Sequence, residues 1–401
     1  MKCDITGNVY YENGIVNRGN LTRLSGIMKR ARAGEALTIG FLGGSITQGS
    51  LSSAPERCYA YLVFEWWRSA FPQAQFTYIN AGIGATDSQF GCARVKEDLL
   101  CHNPDFVVID FSVNDECTEH FMETYEGVIR RVYGWKSKPA VLLLHNVYYD
   151  TGANAQLLHG RVGRYYELPA VSMQSSIYPA LLLGTIENRE ITPDNLHPND
   201  TGHALAASVI TYFLAQVKKE TEAECRPEAE CRPEAGTPAS GSAQDTGSGA
   251  AELRKEPLTL NRYEHSTRYR NDCGCAQCSG FVPDDTPQHG ITDIFKNGWM
   301  AAENGDSITI EAEGTCIAVQ YRKTVHHPAP KAEVLIDGDA DGAVLLDAAF
   351  EEDWGDKLAL VTAAENLSAG THRVTVRIAE AHADDVLPFY LVSVIGSVPR
   401  E

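Results

Sequence analysis

The sequence has few basic residues and no long apolar runs. Its 401 residues include 34 Lys and Arg against 53 Asp and Glu, which gives a formal net charge of −19. A field of this sign repels polyanions and therefore disfavours nucleic acid and anionic membranes as partners. The most apolar runs, at 140–144 and 180–183, are far too short to cross a bilayer. We therefore expect neither a nucleic-acid partner nor a membrane partner.

The sequence also lacks an apolar segment near its start and a dense, even set of cysteines. Residues 1–8 read MKCDITGN, without the apolar core of a secretory signal. The 11 cysteines are scattered along the chain, unlike the framework of a small disulfide-rich domain. Reduced thiols and a cytoplasmic location are the expectation. Apolar residues make up 43% of the chain, which is enough for packed cores.

Composition divides the chain into four segments. Residues 218–257 are rich in Glu, Ala, Gly, Ser and Pro and contain a tandem duplication of the hexapeptide EAECRP. Such a stretch buries too little apolar surface to offset its ordering entropy, so we interpret it as a flexible linker. The other segments are predicted as an N-terminal extension over 1–34, a first domain over 35–217 and a second domain over 258–401.

The two predicted domains differ in their hydrophobic patterns. In the first, apolar runs at 37–42, 76–80, 106–111 and 140–145 are typical of strands buried on both faces of a parallel sheet. Amphipathic helical stretches, such as 59–67, alternate with these runs. This alternation predicts a three-layer α/β/α domain. The second domain has short strand candidates separated by Gly, Asp and Pro, which predicts an all-β, jelly-roll-like sandwich. We expect the sandwich to contact the first domain.

Glycine-rich and polar motifs follow the strand candidates of the first domain and precede its last helix. They read GGSIT at 43–47, NAGIGAT at 80–86, SVND at 112–115 and DNLHP at 194–198. Catalytic groups of open α/β sheets lie beyond the carboxyl ends of the strands. Each motif alone is also compatible with a simple turn or a helix cap. Four of them in these positions indicate a functional site.

These motifs resemble the four blocks of the SGNH (GDSL-type) hydrolases, which are named after Ser, Gly, Asn and His. Ser45, Gly84, Asn114 and His197 match the blocks, with Gly82 as a competing match for the glycine. The resemblance covers about residues 35–217 and implies the three-layer fold of that family.

Two positions depart from the usual motifs of the family. Gly44 stands where the family usually has Asp, and Ser112 stands where it usually has Gly. Neither change removes a group that the chemistry requires, although Ser112 could alter the local turn.

The resemblance implies a serine-hydrolase mechanism without a cofactor or metal. Ser45 would be the nucleophile, His197 its general base, and Asp194 the carboxylate that orients the imidazole. The backbone N–H groups of Ser45 and Gly84 and the side-chain amide of Asn114 would form the oxyanion hole.

The order of the domains resembles two-domain carbohydrate esterases, several of which have a carbohydrate-binding-module-like sandwich. This implies a serine esterase that removes acetyl or other small acyl groups from carbohydrate, with mannan- or xylan-type oligosaccharides as substrates. The alternatives are a lysophospholipase or thioesterase acting on lipids, and a non-catalytic carbohydrate-binding protein.

Aromatic and cysteine residues of the second domain are further candidates. Aromatic faces stack on sugars, so contacts to substrate are predicted for Trp299, Tyr321, His326 and Trp354, with core packing as the alternative for the tryptophans. A cysteine cluster could bind zinc if His289 supplied a fourth ligand, but reduced thiols are favoured. This cluster consists of Cys273, Cys275 and Cys278.

Overall fold

The computed structural model describes residues 5–224 and 255–399. We call the first range the α/β domain and the second the β domain. Residues 225–254, which hold most of the predicted linker and of the duplicated hexapeptide, lie outside the described residues. None of the helices in the two described ranges combines the length and hydropathy needed to cross a bilayer.

A central sheet organises the α/β domain. Its strands are β1 (Ile15–Asn17), β2 (Ala36–Gly43), β3 (Gln75–Gly82), β4 (Phe106–Asp110), β5 (Ala140–His145) and β6 (Ala170–Ser172). They form one six-stranded sheet with the order β1-β6-β5-β4-β2-β3. Strands β2 to β6 are parallel, and β1 pairs antiparallel to β6 at the edge. The predicted parallel sheet is confirmed, and its four apolar runs form β2 to β5.

Helices cover both faces of this sheet. They are α1 (Thr22–Arg32), α2 (Ser45–Gln48), α3 (Tyr59–Ala70), α4 (Ser88–Asp98), α5 (Glu119–Tyr133), α6 (Gln156–Tyr165), α7 (Met173–Ser176), α8 (Tyr178–Leu182), α9 (Asn188–Ile191) and α10 (Asp200–Glu224). Successive residues of a strand point to opposite faces. Val108 therefore joins the core under α1, α3 and α10, whereas Val107 joins the core under α4, α5 and α6. This is the predicted three-layer arrangement.

The α/β domain begins earlier and ends later than predicted. The segment 1–34 is predicted as an extension, but β1 adds a strand to the sheet and α1 packs on its core. The predicted boundary at residue 217 falls within α10, which runs to Glu224. Thr221, beyond the predicted boundary, is still buried, so this part of the helix belongs to the domain.

Two antiparallel sheets form the β domain. Its strands are β7 (His265–Tyr269), β8 (Ala276–Ser279), β9 (Val282–Pro283), β10 (Trp299–Ala301), β11 (Ser307–Glu313), β12 (Cys316–Lys323), β13 (Lys331–Ile336), β14 (Val344–Asp347), β15 (Lys357–Ala364), β16 (Thr371–Glu380) and β17 (Phe389–Val398). One sheet has the order β15-β12-β17-β10-β9, with β7 also paired to β17, and the other has the order β14-β13-β16-β11-β8. Apolar side chains of both sheets, such as Ile310 and Val319, form the core between them. The predicted all-β sandwich is confirmed.

Strands β12 and β17 form the face on which the β domain contacts the α/β domain. Strand β16 alternates buried and exposed residues, as expected for a strand covered on one face. Strands β12 and β17 are instead buried along almost their whole length, because the α/β domain covers their second face. The shared apolar cluster includes Ile83, Phe90, Ala93, Ala318 and Ile395. The predicted contact between the domains is confirmed.

A second contact joins α5 to the segment 255–264, which precedes β7. The guanidinium of Arg262 donates to both carboxylate oxygens of Glu123, with 2.8 Å between Nη2 and Oε2. About two turns further along α5, Nε of Arg130 lies 2.6 Å from Oε2 of Glu264, and both side chains are buried. Charge pairs thus supplement the apolar contact between the two domains.

Candidate active site

Ser45 lies just beyond the carboxyl end of β2. The strand ends at Gly43, Gly44 is the N-cap of α2, and Ser45 is the first residue of that helix. A Cβ atom at Gly43 would lie 2.3 Å from Oγ1 of Thr47 and 2.5 Å from the carbonyl oxygen of Asp110. Only glycine fits such a close approach of two backbones. The turn therefore presents the Ser45 hydroxyl at the edge of the sheet where parallel α/β domains carry their sites.

The structure brings Ser45, His197 and Asp194 into one chain of hydrogen bonds. Oγ of Ser45 lies 2.8 Å from Nε2 of His197, and Nδ1 of His197 lies 2.6 Å from Oδ2 of Asp194. Because the carboxylate can only accept, it fixes Nδ1 as the protonated nitrogen and leaves Nε2 to accept from the Ser45 hydroxyl. This geometry is the one that transfers a proton from serine to imidazole.

The carboxylate of Asp194 is held by its own loop. Oδ1 accepts the backbone N–H groups of Leu196 and His197 at 3.0 and 2.7 Å. Partial burial opposes the ionisation of Asp194, but the hydrogen bonds from the His197 ring and from these N–H groups outweigh it and lower the pKa of Asp194 below its usual value. The ionised carboxylate is the form that stabilises a protonated imidazole.

The predicted oxyanion donors lie beside Ser45. A Cβ atom at Gly84 would lie 3.7 Å from Cβ of Ser45. The side-chain amide of Asn114 lies against Gly44, where an added Cβ would be 2.8 Å from Nδ2. The N–H group of Ser45 is at the first position of α2, where helix geometry provides no intrahelical acceptor. The three donors are thus grouped around the nucleophile.

Gln48 makes a contact at the site that the motifs do not indicate. The N–H of Gly84 donates to Oε1 of Gln48 at 2.6 Å. Gly82, the competing match, has a packing role instead, since a Cβ there would lie 2.2 Å from the backbone nitrogen of Gln48. Gly84 is therefore the better match for the donor. The three-residue spacing of Ser45 and Gln48 on a helix, which places both on one side, is the signal that could have pointed to Gln48.

A buried polar cluster lies beneath the site. Oδ2 of Asp110 accepts from Nδ2 of Asn146 at 2.8 Å and from Oγ1 of Thr47 at 3.2 Å. Burial raises the pKa of Asp110 to about 7, although both hydrogen bonds work in the opposite direction. Asp110 is not among the residues predicted from the sequence. A carboxylate at the end of an apolar strand was the available signal, because such groups are rarely buried without a partner.

A cleft of about 310 Å³ extends from Asn114 between the two domains. Tyr148 contributes to its α/β wall, and Gln320, Lys323 and Lys357 contribute to its β wall. Gln320 is completely buried by protein, and its Nε2 has no hydrogen-bond partner among the described residues. The β domain therefore forms part of the surface next to the site.

The aromatic residues predicted to contact sugar lie elsewhere. Trp299 and Tyr321 are only 2% and 4% exposed because they pack in the core of the sandwich, so their predicted role is wrong. His326 and Trp354 are exposed, but neither lines the cleft. The indole N–H of Trp354 instead donates to Glu352 at 2.6 Å.

The cysteine cluster does not form a metal site. Cys273 and Cys275 are joined in a disulfide, contrary to the expectation of reduced thiols, and their Cα atoms lie 5.3 Å apart. That distance is in the normal range for a disulfide. Cys278 is a free thiol. Across residues 5–224 and 255–399, no group of three or more His, Cys, Asp or Glu side chains could hold a metal ion.

Comparison with known proteins places this geometry in a family. Residues 41–205 match the model of the GDSL-like lipase/acylhydrolase family. Two crystal structures of a two-domain esterase active on acetylated mannans, one of them with mannopentaose, are 59% identical to this chain. The match covers 98% of this chain and 99% of that one, with a TM-score of 0.88.

A curated relative matches the α/β domain alone. The acetylxylan esterase of Geobacillus stearothermophilus is 24% identical over 196 residues, which are 42% of this chain and 89% of that protein. Because the 59% identical relative is matched over nearly its whole length and the family model covers the motifs at the strand ends, this chain belongs to the GDSL-like lipase/acylhydrolase (SGNH) family and is a carboxylic ester hydrolase.

Proposed function

We propose that this esterase removes acetyl groups from mannan-type oligosaccharides, with Ser45 as the nucleophile, His197 as the general base and Asp194 as its partner. The observation that carries the reaction type is the continuous hydrogen-bonded chain from Asp194 through His197 to Oγ of Ser45. The substrate class is supported by the 59% identical relative, which is active on acetylated mannans.

The first half of the reaction forms an acetyl-enzyme. Oγ of Ser45 attacks the acetyl carbonyl carbon while its proton moves to Nε2 of His197. The carbonyl oxygen becomes an oxyanion, which accepts hydrogen bonds from the N–H groups of Ser45 and Gly84 and from Nδ2 of Asn114. The bond between the acetyl carbon and the sugar oxygen then breaks. His197 returns the proton to that oxygen, and the deacetylated sugar leaves.

The second half restores the enzyme. His197 takes a proton from a water molecule, whose oxygen attacks the acetyl carbon of the intermediate. The same donors stabilise the second oxyanion. When the bond to Oγ of Ser45 breaks, His197 returns the proton to Ser45 and acetate is released. Asp194 remains ionised throughout and stabilises the protonated imidazole in both halves.

The walls of the cleft favour a sugar over a lipid. Lys323 and Lys357 present hydrogen-bond donors. Sugar hydroxyls can accept from such donors, whereas an acyl tail would desolvate them without providing an acceptor. We infer that the β domain binds the carbohydrate with this wall of the cleft. The alternative of a lysophospholipase or thioesterase is therefore disfavoured.

Acetate release from acetylated manno-, xylo- and gluco-oligosaccharides of equal length, followed by mass spectrometry, tests both parts of the proposal. We expect the manno-oligosaccharide to react fastest. Ser45→Ala should lower the rate by about 10⁴-fold or more, as expected when a nucleophile is removed. Equal rates for the wild type and Ser45→Ala would refute the mechanism. A faster reaction with the xylo-oligosaccharide would refute the substrate assignment.

A further inference from the structure

The N–H group of Gly84 already has an acceptor in the free protein. It donates to Oε1 of Gln48 at 2.6 Å, and an N–H group carries only one proton to share. We propose that Gln48 is a positioning residue whose Oε1 accepts the hydrogen bond of this oxyanion donor as long as no substrate is bound. Its side-chain amide then rotates away from Gly84 when the acetyl carbonyl of the substrate binds. This role rests on the function proposed above.

The position of Gln48 is set by its backbone. Its N–H donates to the carbonyl oxygen of Gly44 at 3.0 Å, which closes the short helix that begins at Ser45. The preceding carbonyl, of Thr47, accepts from Nδ2 of Asn80 at 2.8 Å. Close packing on Gly82 leaves this backbone little room, since a Cβ atom there would lie 2.2 Å from the Gln48 nitrogen. The backbone thus keeps the side chain within reach of Gly84.

The side chain of Gln48, unlike its backbone, can move. Gln48 is exposed, so rotation of its amide into solvent breaks the bond to Gly84 without breaking a packed core. An added Cβ at Gly84 would lie 3.1 Å from Oε1 of Gln48 and 3.7 Å from Cβ of Ser45. The amide oxygen and the nucleophile therefore flank the same residue. Oε1 of Gln48 therefore competes with the oxyanion for the hydrogen bond that the Gly84 N–H donates.

Two substitutions of nearly the same length should act in opposite directions. Gln48→Met removes the acceptor, so the Gly84 N–H can donate to water when no substrate is bound. We expect kcat/KM to rise about 2- to 10-fold, the equivalent of one neutral hydrogen bond. Gln48→Glu keeps the acceptor, strengthens it with a charge and repels the developing oxyanion. We expect kcat/KM to fall by about 10-fold or more.

The test uses the full chain and p-nitrophenyl acetate, with Gln73→Met and Gln73→Glu as matched controls. Gln73 is also exposed and donates to the carbonyl oxygen of Arg32 at 3.0 Å, near the amino end of β3 and away from the site. The control pair should leave kcat/KM unchanged, and the melting temperature of every variant should stay close to that of the wild type.

Opposite shifts of kcat/KM for the two Gln48 variants would support the positioning role. Two decreases, or no change in either variant, would overturn it, because a purely structural residue loses function with any replacement. Ser45→Ala separates this inference from the proposed function. If Ser45→Ala is inactive and the Gln48 variants do not diverge, only the role of Gln48 fails. If Ser45→Ala is active, the proposed function itself fails.

Discussion

The side-chain amide of Asn114 occupies the space that a side chain at Gly44 would need. A Cβ atom at Gly44 would lie 2.2 Å from Oδ1 and 2.7 Å from Cγ of Asn114. The backbone of Gly44, with φ of −89° and ψ of −147°, lies outside the left-handed region that favours glycine. Glycine is therefore favoured at position 44 by the lack of room beside Asn114 and not by the backbone conformation. A side chain at position 44, such as the family's usual aspartate, would therefore require Asn114 to move.

Gly44→Ala should displace the amide of Asn114 and so remove one oxyanion donor. We expect kcat/KM for p-nitrophenyl acetate to fall about 10²-fold, the usual loss for a single donor. Asn114→Ala should cause a similar loss. The double variant should be no worse than Asn114→Ala alone, within about twofold, because both changes remove the same interaction. Losses that multiply in the double variant would contradict this coupling.

Asp110→Asn should change how the free energy of unfolding depends on pH. Burial raises the pKa of Asp110 in the folded protein to about 7, whereas an exposed aspartate has a pKa of about 3.9. The contribution of this carboxyl to stability is therefore complete below about pH 4 and is lost as the pH rises through about 7. Relative to the variant, the wild type should lose at most about 4 kcal/mol over this interval.

Urea unfolding of both proteins at several pH values from 4 to 8 measures this difference. The stability of the wild type minus that of Asp110→Asn should fall as the pH rises and then level off above about pH 7. A difference that stays constant with pH, or that grows, would show that Asp110 is ionised in the folded protein.

Arg130→Met should destabilise the protein through the contact between the domains. Arg130 and Glu264 form a close pair, with 7% and 6% of their side chains exposed. Removing one partner of a buried pair typically costs about 3–5 kcal/mol, and the positive charge of Arg131 near Glu264 should keep the loss toward the lower end of that range. Denaturant unfolding of Arg130→Met and of Arg130→Met combined with Glu264→Gln checks this. The double variant should recover part of the loss, and a double variant that is less stable still would count against the pairing.

Lys323→Met should weaken the reaction with oligosaccharide more than that with a small ester. Lys323 lines the cleft and is only half-buried, so its ammonium group can donate to a sugar hydroxyl. We expect kcat/KM for an acetylated manno-oligosaccharide to fall about 2- to 10-fold, the worth of one hydrogen bond. The loss with p-nitrophenyl acetate, which has no sugar, should be smaller.

Lys331→Met is the matched control for this experiment. Lys331 lies on β13, is half-buried like Lys323 and does not line the cleft. It should behave as the wild type with both esters. Equal losses for Lys323→Met on the two substrates would indicate a general effect on the fold rather than a contact with sugar.

The parts of the site that follow from local rules were predictable from the sequence. Gly43 and Ser45 mark a strand exit because the glycine permits a sharp turn. Asp194 and His197 are three residues apart in one loop, so their contact needs no long-range information. Gln48 and Asp110 were not predicted, because their importance depends on the distant partners Gly84 and Asn146, which only the folded chain brings near.

The β domain shows where sequence patterns are insufficient. The sequence predicts sugar contacts for Tyr321 and Trp299 because aromatic faces stack on sugars and both residues lie in or near turns. Their burial depends on which face of each strand points toward the opposite sheet, and a pattern of alternation does not state which face is covered. The same limit applies to β12 and β17, whose second face is covered by distant parts of the chain, such as Ile83 and Phe90 of the α/β domain and Phe295 of the β domain.

The double role of α5 has a consequence for engineering. One side of this helix closes the core of the α/β domain, and the other presents Glu123 and Arg130 to the segment that precedes β7. A chimaera that grafts a foreign binding module onto this catalytic unit would leave both ions facing an unrelated surface. Such a swap should therefore place its junction after residue 264, so that residues 255–264 are carried over, or neutralise both ions.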